Sequence, residues 1–295
     1  KPFSDTQGGI ASNDMPVFSM RSMSYNRRNG TMYTNDNDIF LYIDGLEELM
    51  NEYCGIIENE TTKNKHVVLF FGDTGSGKSM FSAECIKKVK NKIDKIIIID
   101  LLEHLKASNL GSYEKLVKVL EIIEFELINQ GFFLDLKDKS KDPEIVKIAL
   151  ERMLLETGHT LLIRFPKIEV FQELQRYYSY LYNKSAILYF ITDTKAIVED
   201  CRRSYDREIT YFECMRLKEG DGKLFIEKMF SDKKSPVFKI DDVESLMDKK
   251  PRDNKMTIKE LKSLCEHAYI YAKKNNIPII TKDVIIDDLF SRSAI

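Results

Sequence analysis

The chain has 295 residues, 43% of them hydrophobic and 31% charged, with a net charge of -2. That length supports one large domain or a core domain with a smaller companion, and the balanced charge excludes a globally basic nucleic-acid binder or an acidic-tailed partner of basic proteins. No run reaches the roughly 18 apolar residues of a membrane span, and the first residues show no signal-peptide pattern, so a cytoplasmic setting (nuclear in a eukaryote) is expected.

Residues 1–37, rich in Asn, Ser, Gly and Met, show no period and predict an extended or disordered arm. Within it, RSMSYNRRN mixes Arg21, Arg27 and Arg28 with Tyr25. From 39 to 59 the spacing of Leu46, Leu49, Met50 and Tyr53 predicts a helix. The apolar run HVVLFF (66–71) then predicts a buried strand, and MFSAECIKKVK (80–90) a helix. Between them GDTGSGKS fits G-x-x-x-x-G-K-[ST], with Gly72, Gly77, Lys78 and Ser79 at the fixed positions. In that strand–loop–helix setting the glycines let the backbone N–H groups of Asp73, Thr74, Gly75 and Ser76 turn inward as an anion nest at a helix N-terminus. Lys78 is then placed to reach the β- and γ-phosphates and Ser79 to ligand Mg²⁺ through its hydroxyl, so ATP with Mg²⁺ is the expected ligand.

Next, KIIIID (95–100) reads as a buried parallel strand ending in Asp100. Helices are predicted over 112–129 and 142–156, the second with Asp142 as N-cap and Pro143 at its first position. A strand over 159–165, a helix over 169–182 and a strand over 185–192 continue the alternation, which implies a parallel sheet covered by helices on both faces. From about 216 every segment has a helical period. The expected organisation is an arm (1–37), an α/β nucleotide-binding domain (38–215) and a small helical lid (216–295).

A P-loop ATPase ordinarily carries an acidic pair at a strand end beside the loop, one acid holding the metal through water and the other orienting the attacking water. Asp100 stands at a suitable strand end, but directly after the P-loop helix; where a strand is inserted, the pair comes one β–α unit later. That later strand has Arg164 and Phe165 at the acid positions, and Glu169 lies beyond its end. Arginine at the metal-holding position predicts slow or absent turnover. Thr192, Asp193 and Thr194 end the next strand, where they either touch a γ-phosphate or cap the following helix. Arg202, Arg203 and Arg207 form either a finger reaching a neighbouring subunit's phosphate or a solvated helix end. Tyr177, Tyr178, Tyr180 and Tyr182 either stack nucleic-acid bases or are partly buried between sheet and lid. The five cysteines (54, 85, 201, 214, 265) and four histidines (66, 104, 159, 267) are scattered and support neither a disulfide framework nor a zinc site.

In this order, the parts over about 40–290 resemble the AAA+ ATPases, within them the origin-recognition, helicase-loader and transposition-regulator branch. The lid's closing segment, with Ile280, Thr281 and Ile285, is similar to that branch's last helix and loop. The resemblance implies ring or filament assembly around ATP, often on DNA, and otherwise on a protein partner. The chain departs from the pattern at the acid pair and at the lid's sensor arginine, for which Arg252 is the nearest residue. Two alternatives stay open: a small-molecule kinase similar to uridine kinases, with Asp100 as base, and a nucleotide-dependent scaffold or switch without robust turnover. A basic lid patch (Lys233, Lys234, Lys249, Lys250, Arg252) and the arginines of the arm are the places where DNA phosphates are expected to bind.

Overall fold

Strand β3 (Val67–Phe71) is buried over its whole length, as a continuous apolar run in a two-sided sheet requires. Its side chains alternate between two cores. Val67, Leu69 and Phe71 face one made by the helices packed on that side, and Phe70 meets Phe81, Tyr189 and Phe212 edge-on or tilted on the other. The computed structural model describes residues 24–26, 31–33, 46–58, 67–102, 104, 110–136, 142–205, 208–217, 220–230, 236–248 and 256–293.

Around β3 runs a five-stranded parallel sheet in the order β4-β5-β6-β3-β7, with β4 Ile96–Asp100, β5 Thr160–Lys167, β6 Ala186–Thr192 and β7 Ile209–Glu213. Helices α1 (Leu46–Glu58) and α2 (Lys78–Lys90) pack on each other, and α2 lies on β3 and β6. Helices α3 (Ser112–Asn129), α4 (Pro143–Thr157), α5 (Phe171–Leu181) and α6 (Lys195–Tyr205) supply the other core. This is a P-loop NTPase-like α/β fold. The expected α/β alternation is present in full, with α4 capped by the Asp142 side chain accepting from the Glu144 N–H, and closed by Gly158 at positive φ.

Strand β6 is inserted between β3 and β5, the arrangement in which the acid pair is expected on β5 rather than β4. Alternation along β5 sends Leu161, Ile163 and Phe165 into the α3–α6 core, where Phe165 stacks on Tyr177 and Phe190. Arg164 therefore points to the opposite face, beneath α2. Each fully buried Ile, Leu or Phe here contributes about 1.5–3 kcal/mol, so a register slip that exchanged the two faces of β5 would forfeit several such terms at once.

Beyond β7 come α7 (Asp221–Phe230), α8 (Ile240–Asp248), α9 (Ile258–Lys274) and α10 (Lys282–Ser293). Their apolar faces close around Phe225, Phe238, Val243, Leu261, Cys265 and Ile285. Two short strands, β8 (Val237–Phe238) and β9 (Ile279–Ile280), pair in parallel among these helices, an element the helical period of the sequence hides. Thr257 and Glu260 form a capping box at the start of α9, fixing where that helix begins. Separately, in the unit 1–39, β1 (Ser24–Asn26) pairs antiparallel with β2 (Thr31–Tyr33). The arm predicted to be extended or disordered holds this short hairpin, and its other residues lie outside the described set.

Candidate functional site

The loop Gly72–Ser79 leaves the carboxyl end of β3 and enters α2, the place where ligands bind in an open α/β sheet. Gly72, Gly75 and Gly77 all have positive φ. At Gly72 a Cβ would fall 2.1 Å from the Cys214 carbonyl oxygen, because Cys214 N–H donates to Phe71 as β7 closes on the strand end. No side chain caps α2, whose N-cap is Gly77, so the helix presents its N-terminal backbone dipoles to the loop cavity. Ser76 is fully buried, and its hydroxyl has no hydrogen-bond partner.

Lys78 is 7% exposed and folds its ammonium back onto the loop, donating to the Gly72 carbonyl at 2.9 Å and the Asp73 carbonyl at 2.5 Å. Burial lowers its pKa, an effect partly offset by Cys214, Asp193 and Asp73 and reinforced by Lys167. An incoming phosphate would relieve that cost. Carboxylates at the loop are already paired: Asp73 accepts from Arg216 Nε at 2.6 Å, and Asp193 accepts from Thr74 Oγ1 at 2.6 Å and from Lys167 Nζ at 2.7 Å. Partial burial would raise the Asp193 pKa, but the bonds from Lys167 and Thr74 outweigh it and hold the carboxyl below its ordinary value.

Beneath α2, Arg164 makes the most committed contact of the site. Its side chain is 2% exposed and forks onto Asp100: Nε reaches Oδ1 at 2.9 Å and Nη2 bonds Oδ2. The two residues are direct register partners on β4 and β5. Nη1 reaches the backbone carbonyl of Ser79 at 3.1 Å and the Ser82 hydroxyl at 3.3 Å. The Leu102 N–H also donates to Asp100 Oδ1, so three donors converge on one carboxylate. A guanidinium has donors only and cannot accept from metal-bound water. Among the described residues no group of three or more His, Cys, Asp or Glu is arranged to hold a metal ion. Ser79 stands in the first turn of α2, but the acid strand under it does not fit the Mg²⁺ that the loop motif implies.

The other sequence candidates are dispersed. Glu169 is exposed past the end of β5, and its N–H donates to Glu173. Thr192 is buried, donating to the Ile168 carbonyl at 3.0 Å and accepting from the Thr194 N–H, which is the capping alternative. Arg203 lies on the solvated end of α6, pairing with Glu199 and Asp200 one turn back. Arg202 instead lies over the rings of Phe71 and Tyr211, a cation–π contact at the end of the P-loop strand. Arg207, Arg252 and the patch of Lys233, Lys234, Lys249 and Lys250 lie outside the described residues. Tyr177 is buried in the sheet core, while Tyr178 stacks on Tyr182 and packs against Tyr205 of α6.

One site residue has no motif in the sequence. Lys259, in the first turn of α9, donates its N–H to the Gly75 carbonyl at 3.2 Å, and its Cβ would lie 2.9 Å from a Cβ built on Gly75. The first turn of α9 thus touches the phosphate loop through its backbone and a lysine. The T-x-x-E capping box that contains Lys259 was the available signal, since it marks a helix start at Thr257, two residues before that basic side chain.

No protein-family model matches the chain, and no curated protein matches it. Among solved structures it is similar to a chain of "Structure of Drosophila ORC bound to DNA", with a TM-score of 0.54 at 11% identity over 84% of this chain and 60% of that one. The chain therefore spans less than two thirds of that chain's length, and the likeness is one of fold. No described helix is long and apolar enough to cross a membrane.

Proposed function

We propose that this chain is an AAA+-like ATP-binding protein of the origin-recognition type, acting as a nucleotide switch with slow or absent turnover. The observation that carries the reading is the complete phosphate loop Gly72–Ser79, contacted by the lid at Gly75, above an acid strand whose metal-holding position is Arg164. ATP would take over the Lys78 ammonium from the loop carbonyls, and the N-termini of α2 and α9 would face its phosphates from two sides. Since α9 belongs to the segment 216–295, a ligand at the loop biases how that segment sits as a lid. Asp100 as base of a small-molecule kinase would have to leave a buried two-pronged pair, so that alternative gains no support from the geometry.

Self-association follows the same logic: a site completed by a neighbour's arginine, Arg203 being the exposed candidate, makes ATP bind the assembly better than the monomer. The structural neighbour is bound to DNA, and this supports DNA as the partner to test first, with a protein partner as the alternative. Calorimetry of ATP against wild type and Lys78→Ala tests the core of the reading. Loss of a charge-assisted contact worth about 1.5–3 kcal/mol is expected, and an unchanged affinity rejects the site. Fluorescence anisotropy of duplex DNA with ATP, at two salt concentrations, then separates the partners: weakening with salt supports DNA, and no binding at low salt leaves the protein partner.

A further inference from the structure

We propose, resting on the reading that the loop binds ATP, that this site holds its nucleotide without a divalent cation, the counter-charge being supplied by Lys78, Lys167 and Lys259. A bound Mg²⁺ keeps most of its waters, and each of those waters needs an acceptor on the protein or the phosphates. At the metal-holding strand position this chain offers the reverse. Arg164 presents only donors, and one of them is spent on the carbonyl of Ser79, the residue whose hydroxyl would ligand the metal. Asp100 is the acid on the same face, and its oxygens already receive Arg164 Nε, Arg164 Nη2 and the Leu102 N–H. To serve a metal, Asp100 would have to abandon a guanidinium that is 2% exposed and has no other anion among its hydrogen-bond partners. The other two loop carboxylates are committed to cations as well, Asp73 to Arg216 and Asp193 to Lys167.

Lysines, by contrast, are placed at the loop by three elements. Lys78 lies inside it, Lys167 is held at its Thr74 corner by their shared partner Asp193, and Lys259 sets its backbone N–H and the carbons of its stem against Gly75 from the first turn of α9. Metal-free ATP carries more negative charge than its Mg²⁺ complex, so on this proposal its phosphates draw on Lys78 first, with Lys167 and Lys259 near enough in the fold to be recruited.

The test is calorimetric titration of ATP into the full chain in EDTA and, separately, in excess Mg²⁺. Dissociation constants within about threefold of each other are expected. A larger weakening in EDTA overturns the inference while leaving ATP binding intact, and no binding in either buffer overturns the ATP-binding reading itself. The Lys167→Met/Lys259→Met variant provides the second measurement. Its affinity in EDTA should fall by about tenfold or more, and an affinity equal to wild type in EDTA shows that these lysines do not replace the metal's charge.

Discussion

The two halves of the site follow opposite design. The phosphate loop has every part of its motif, with three glycines in conformations that other residues rarely adopt and a lysine already buried at its centre. Strand β5, one inserted strand away, carries Arg164 where the sequence leads one to expect a metal-holding acid, and pairs that arginine with Asp100 of the neighbouring strand. Gripping phosphates requires backbone donors and one cation; splitting them also requires acceptors that hold metal and water. On the proposed reading the first set is present in the loop motif, and the second lacks its acid at Arg164.

The sharpest way to break this comparison is to remove the arginine. Arg164→Ala leaves Asp100 as a largely buried, unpaired charge, and urea unfolding should show a loss of about 3–5 kcal/mol. The Arg164→Met/Asp100→Leu double variant should recover most of it. A single variant as stable as wild type would mean that the pair is not structural.

Gly72→Ala comes next, since its Cβ meets the Cys214 carbonyl at 2.1 Å at a φ of +141°. About 3 kcal/mol of stability should be lost, with nucleotide binding lost alongside it. In contrast, Lys78→Ala should weaken nucleotide binding as stated above while moving stability by less than about 1 kcal/mol, because the ammonium is held there at a desolvation cost. Equal damage to folding and binding would blur the division between the two halves.

Arg203→Ala should alter stability by less than about 0.5 kcal/mol, as its pairs are exposed. Light scattering with and without ATP checks whether it nevertheless weakens assembly. The smallest effect concerns pH. Asp193 has a folded pKa below the ordinary 3.8, so its contribution is fully present above that value and is lost as pH falls through the lower folded value. Asp193→Asn should flatten that part of the acid unfolding curve, and an unchanged curve would show that the Lys167–Asp193 pair is not formed in solution.

Much of this was legible in the residues. The strands of the sheet are short apolar runs between helical periods, and local physics suffices to place them: β3 starts within a residue of its predicted start, and α3 spans the predicted 112–129. The loop was legible because glycines, lysine and serine at fixed spacing act through adjacent backbone, so proximity in sequence is proximity in space. Arg164 was visible as an anomaly at its strand end, since strand ends can be read from the apolar pattern.

Only the tertiary structure decided what those residues touch. That Arg164 binds Asp100, 64 positions away, depends on β4 and β5 being register partners, which no local pattern specifies. That Arg203 faces solvent while Arg202 lies on Phe71 depends on the rotation of α6 about its axis against the sheet. Lys259 joins the site because α9 is brought back over a loop 184 residues earlier, where its N–H meets the Gly75 carbonyl. Sequence carries the period and chemistry of each element by itself, through forces acting within a few residues. Which charges are neutralised is settled by long-range packing, which pairs distant strands and helices only when their apolar faces close together.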